Sequence, residues 1–187
     1  MIDMAKRNGG NRTQTCGTSK PLTDGDNTPE IVHSNAGGQI TIRDPSGRVL
    51  NRSQPGAYFS DFSLCHWPTN DDPIRLLVTR DSKVWLFDFD GTTVAKFDAP
   101  NSDDDETARG TLVSFKAGQP PHLAVLVELD KWDRAILFVY DSEGVIVYQE
   151  VIDQACAALA TMAGGKAGSE VLLVGGRGMV WEYRVAD

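Results

Sequence analysis

The oxygen-rich stretch Asp24-Gly-Asp-Asn-Thr-Pro-Glu30 is where this chain could do chemistry. Calcium takes oxygen ligands at alternate positions of a tight loop, with carboxylates supplying charge. Asp24, Asp26, the backbone of Thr28 and Glu30 have that spacing. The competing reading is a polar turn whose Asp side chains bond their own backbone. The corresponding loops further on, Thr69 to Asp72, Ala117 to Pro120 and Gly165 to Gly168, keep less of the pattern. Calcium is therefore the one cofactor the sequence offers.

Two tryptophans are candidate ligand contacts. Trp67 precedes Pro68, and Trp132 stands among Asp130, Lys131, Asp133 and Arg134. A loop tryptophan beside charge can meet a partner with a large apolar surface, or it can fold onto its own sheet. Trp85 and Trp181 recur at equivalent places of two repeats and are expected between packed units. The histidines, His33, His66 and His122, have no metal-ligand spacing. His66 follows Cys65, and neighbours on a strand face opposite ways, which argues against a Cys–His nucleophile pair. Gly175-Gly-Arg-Gly178 lies between two apolar runs and reads as a hairpin turn rather than a phosphate cradle. The acidic run Asp103 to Glu106 reads as a solvated loop. No catalytic residues are assigned.

Composition narrows the classes. With 187 residues and 41% hydrophobic content, the chain can bury a core. Its net charge of −8 argues against a nucleic-acid backbone or an anionic membrane surface as partner. No apolar run is long enough for a spanning helix, and the N-terminal stretch has no apolar segment of the secretory kind. The compartment is left open: either the protein stays inside, or the chain is a piece of a longer exported precursor. Cys16, Cys65 and Cys156 are odd in number and far apart, so they make no disulfide framework. Cys65 and Cys156 lie in apolar stretches and are expected to be buried thiols.

These residues must be positioned by β structure. Ile136 to Tyr140 meets Asp141-Ser-Glu-Gly144, and Val145 to Tyr148 follows. Asp44 to Gly47 and Asp88 to Gly91 repeat that Asp-x-x-Gly turn between strand-type runs, so three hairpins share one turn. A second echo is 96 positions long: Leu76-Leu-Val78 with Val84-Trp85 recurs as Leu172-Leu-Val174 with Val180-Trp181. A further strand precedes three of the units, at Phe62 to Cys65, Leu112 to Phe115 and Cys156 to Met162. The Ala-rich last one could pass as a helix, and its place in the repeat favours a strand. The reading is all-β: roughly four four-stranded antiparallel units over residues 22–53, 58–98, 110–151 and 154–187, the first and last incomplete. Residues 1–21 are expected to be a flexible leader.

Units of four strands at this period resemble β-propeller blades. Asp24 to Val32 resembles the loop and strand of FG-GAP/VCBS repeats, whose loop can hold calcium. The Asp-x-x-Gly hairpins, with Val84 to Asp88 and Val180 to Tyr183, are similar to quinoprotein-like (PQQ-like) repeats. Where the enzymatic quinoproteins generally carry a Trp, this chain has Asn51, Lys96 and Tyr148. The resemblance implies an incomplete propeller acting as a non-catalytic binding or interaction module, with a protein or small-ligand partner. The alternative is a remnant or subunit of a quinoprotein or hydrolase-type propeller enzyme. An open array would also expose blade edges through which copies could self-associate.

Overall fold

The computed structural model describes residues 4–9, 30–34, 39–54, 61–70, 72–80, 83–100 and 107–186. Within them the chain forms fifteen strands in four antiparallel sheets, with a single 3-10 turn at Asp130–Trp132. Blade 1 has three strands, β2 (Ile31–Ser34), β3 (Ile40–Arg43) and β4 (Val49–Ser53). Blade 2 runs β5 (Asp61–His66), β6 (Ile74–Arg80), β7 (Lys83–Phe87) and β8 (Thr93–Asp98). Blade 3 runs β9 (Thr107–Val113), β10 (His122–Leu129), β11 (Arg134–Tyr140) and β12 (Ile146–Ile152). Blade 4 contains β13 (Cys156–Ala163), β14 (Glu170–Gly176) and β15 (Met179–Val185). Its fourth strand is β1 (Met4–Gly9), paired antiparallel to β15.

Two details differ from the sequence reading. Part of the expected leader is β1, whose residues Met-Ala-Lys-Arg-Asn-Gly have no apolar alternation to announce a strand. An outermost strand bonds through its backbone along one side and needs no such alternation. The strand expected at Leu112 to Phe115 instead begins at Thr107. In its first half the residues facing blade 2, Ala108 and Gly110, are small, and the strand passes close to that blade. A Cβ on Gly110 would stand 3.1 Å from Val84 Cγ1. The Ala-rich stretch at 156–163 is a strand.

The repeated turn has one geometry. In each copy the Asp amide donates to the carbonyl four residues on: Asp44 to Arg48 at 3.0 Å, Asp88 to Thr92 and Asp141 to Val145 at 2.9 Å. Each turn glycine donates back to the Asp carbonyl at 2.9–3.0 Å. Gly47, Gly91 and Gly144 take φ of 87°, 93° and 80°. That left-handed backbone follows a turn and shifts the ladder by one residue, as a glycine bulge does.

Three apolar cores join the blades in sequence. Between blades 1 and 2 lie Ile40, Leu76, Val78 and Phe87. The core between blades 2 and 3 includes Leu77, Leu86, Phe97, Val125, Phe138 and Tyr140. The next includes Leu126, Leu137, Val174, Trp181 and Tyr183. An aromatic pair two residues apart marks the backward face of each later blade: Trp85/Phe87, Phe138/Tyr140 and Trp181/Tyr183. Trp85 and Phe87 stack at 5.9 Å and 5°. In blade 1 the same positions hold Thr41 and Arg43, and Arg43 Nε donates to His33 Nε2 at 3.0 Å. No apolar core among the described residues links blade 4 to blade 1.

Candidate functional site

The most exposed large apolar side chain among the described residues is Trp132, at 70%. It ends the 3-10 turn that connects β10 to β11 in blade 3. The next residue, Asp133, has φ +51°, a left-handed conformation that Asp tolerates better than most residues. Asp133 is held from the neighbouring blade. Arg177, in the β14–β15 turn, reaches it with Nη2 at 3.0 Å and Nη1 at 3.2 Å, one nitrogen to each carboxylate oxygen. This two-pronged pair links the two turns across the solvent-exposed rim. Arg134 Nε holds Asp153 Oδ1 at 2.9 Å, so the turn is braced on its other side as well. A groove of about 530 Å³ runs from this rim along blade 4. Its lining includes Glu128, Ala157, Leu173, Arg177 and Met179.

Trp67 is placed differently. It is only 4% exposed and meets Phe97 edge-on at 5.9 Å. Its ring belongs to the core between blades 2 and 3. Its backbone carbonyl accepts from the Arg75 guanidinium, and its bond to Pro68 is cis. Trp67 therefore presents no surface to a ligand, and of the two tryptophan candidates Trp132 alone does. Trp85 and Trp181 lie between blades, as their positions in the repeat imply.

Of the expected calcium set, Asp24, Asp26 and Thr28 lie outside the described residues. Glu30 is half-buried beside the first residue of β2. The acidic run at 103–106 also lies outside them. Among the described residues no group of three or more His, Cys, Asp or Glu side chains stands together as a metal site. The turn carboxylates serve their own loops. Asp44 accepts from Ser46 Oγ at 2.6 Å and from the Arg48 amide at 3.0 Å, and these bonds hold its carboxyl below the usual range. Asp72, bonded by the Thr69 amide and hydroxyl, and Asp90, bonded by Thr92, are lowered likewise.

Cys65 and His66 point to opposite sides of β5. Cys65 is buried and its thiol is pushed up to about 12 by that burial, while His66 is exposed and faces the Asp72 carbonyl. A thiol so desolvated stays protonated and is no nucleophile at neutral pH. A carboxylate joins blades 3 and 4: Glu150 Oε2 accepts from Tyr148 Oη at 2.8 Å and from Tyr183 Oη at 2.9 Å. Sequence reasoning passed over Glu150, because its role depends on a phenol 33 residues away.

A scan against protein-family models and a search of curated proteins found no match. A search of solved structures found a chain described as the crystal structure of BBS1N in complex with ARL6DN, soaked with lead. It superposes with a TM-score of 0.60 at 17% identity, over 82% of this chain and 48% of that one. The fold is propeller-like and incomplete. The chain spans about half the length of the structure it matches. No helix among the described residues is long and apolar enough to cross a membrane.

Proposed function

We propose that this propeller-like array is a protein-binding module whose contact surface centres on Trp132. The observation that carries this reading is a tryptophan 70% exposed on a turn linked to the neighbouring blade by the Asp133–Arg177 pair. An exposed tryptophan that a partner can bury offers a large apolar anchor, and such side chains dominate interface energetics. Around it the Arg134–Asp153 and Asp133–Arg177 pairs supply a polar rim. The neighbouring structure is of a complex with a protein, ARL6DN, which agrees with this class of role.

Selection of peptides from a random display library on the immobilised chain, followed by calorimetry, tests the reading. Peptides that bind should lose affinity by about tenfold or more on Trp132→Ala, the ~1.4 kcal/mol or more expected of a central aromatic. Because Trp132 is exposed, the variant should melt as wild type does. Binding indifferent to Trp132→Ala, or no binding peptides, would remove this surface as the contact site.

A further inference from the structure

The outermost strands of the four blades are β4, β8, β12 and β1, and each is hydrogen-bonded along one side only. Natural sheets blunt such edges with charged side chains, above all basic ones, which would have to give up water against an incoming backbone. The repeat puts Arg52 of β4 and Lys96 of β8 at one place, opposite Thr41 and Trp85. In β12 that place, opposite Phe138, holds Gln149. β1 includes Lys6 and Arg7, so β12 alone of the four has no basic residue. Its single carboxylate, Glu150, already accepts from Tyr148 and Tyr183. Gln149 is exposed, and Val151 is 55% exposed.

The sequence of β12 says which strand fits that edge. Ile146-Val-Tyr-Gln149-Glu-Val-Ile152 reads nearly the same in both directions. Ile146 answers Ile152 and Val147 answers Val151, with Gln149 at the centre. An antiparallel copy laid along β12 with Gln149 opposite itself therefore sets valine against valine twice, and Tyr148 against Glu150 twice. Directly opposed β-branched side chains stabilise an antiparallel pair, whereas like charges oppose it, and in this register no two like charges meet. The bulge between β11 and β12 falls beside Ile146, so the regular part of the new ladder is residues 147–151. A slip by one residue would set Gln149 against Glu150 or Tyr148 and lose the valine pairs, so the register is specified.

We infer that β12 pairs antiparallel with β12 of a second copy, about a two-fold axis through Gln149. The contact is isologous, and it joins two four-stranded blades into one continuous sheet. Self-complementarity of the strand is what selects a second copy over an unrelated strand. The contact covers an edge and not a face, which puts it among the small interfaces, under about 1,200 Å², whose association is weak and transient. It lies on the outer edge of blade 3 and leaves the turn that carries Trp132 uncovered.

Sedimentation of the full chain across low-micromolar to near-millimolar concentrations tests this, and a monomer–dimer equilibrium is expected. Gln149→Lys gives β12 the residue that β8 carries at the same place, so the fold should be kept, as circular dichroism can verify. It also sets two lysines against each other across the axis, and dimerisation should weaken by about tenfold or more. Val151→Lys, at a second exposed site, should weaken it too. Gln149→Cys in a Cys16→Ser background should form a disulfide-linked dimer on mild oxidation, because residues opposed in an antiparallel pair stand about 4.5–5.5 Å apart. The remaining thiols, Cys65 and Cys156, are buried. Trp132→Ala should leave the equilibrium unchanged, which separates this contact from the partner surface above. A chain that stays monomeric throughout overturns the inference, and so does a dimer that survives both lysine variants. A dimer that cannot be crosslinked at position 149 overturns the register.

Discussion

At the scale of single residues, the Glu150 carboxylate ties β12 to β15 through the Tyr183 phenol while also accepting from Tyr148 on its own strand, and these two phenols make the protein sensitive to alkali. Burial, then the hydrogen bond each donates to Glu150 and the charge of that carboxylate, push the pKa values of Tyr148 and Tyr183 well above the ordinary 10.0. Burial also pushes Tyr140 up to about 12, with the Asp98 charge adding to it. A raised phenol favours the neutral form in the folded state. Below pH 10 folded and unfolded chains are both protonated, so the stabilisation is fully present. Above it the unfolded chain loses protons that the folded chain keeps, and stability falls as pH rises towards about 12. Urea denaturation at a series of alkaline pH values should show this decline. Tyr148→Phe and Tyr183→Phe should each flatten it, at some cost in stability at pH 7 from the lost hydrogen bond. A decline equally steep in both variants would assign the alkaline sensitivity to other groups.

At the scale of elements, the Asp-x-x-Gly hairpins were legible because their requirement is local. A left-handed residue after the turn needs glycine, and the Asp carboxylate caps the loop amides, as Asp141 Oδ1 does for Glu143 and Val145 at 2.9 Å. Gly144→Ala should therefore destabilise by about 1–2 kcal/mol through backbone conformation alone. The added Cβ would meet only Phe97 Cε1 at an ordinary 3.5 Å. Gly144→Asn should cost less, since Asn accepts positive φ more readily. Thermal melts of the two variants decide it: equal losses would point to crowding rather than conformation. The elements the sequence hid are those whose signal is not apolar. β1 bonds through an edge backbone, and the first half of β9 turns Ala108 and Gly110, small enough to pass Val84, towards blade 2. For the candidate site, position within the repeat told Trp85 and Trp181 from the loop tryptophans. It did not separate Trp67 from Trp132, because the ring that Trp67 packs against, Phe97, lies on β8, two strands beyond the neighbour of β5. The bracing of Trp132 depends on Arg177, 44 residues from its partner Asp133. Such a pairing has no local signature.

At the scale of the whole molecule, blades stacked in sequence share cores only with their neighbours, so stability should vary along the array. Blade 3 is flanked on both sides. Leu123, Ala124, Val125, Leu126 and Val127 of β10 are all 0–1% exposed, their side chains divided between two cores. Blade 1 has three strands, one flanking core and an outward face ending in Arg43 and His33. Local opening needs less free energy where fewer buried contacts are lost. Hydrogen exchange read by mass spectrometry should therefore be slowest in β10 and β11 and fastest in β2 to β4. Substitutions should follow the same order. Leu137→Ala removes a side chain 0% exposed in the core between blades 3 and 4 and should cost about 2–5 kcal/mol, speeding exchange throughout the array. Ile40→Ala, in the core between blades 1 and 2, should speed exchange in blade 1 while leaving β10 and β11 near their wild-type rates. Uniform protection across all four blades, with both variants shifting every strand alike, would mean that the cores couple strongly enough for the array to open only as a single unit.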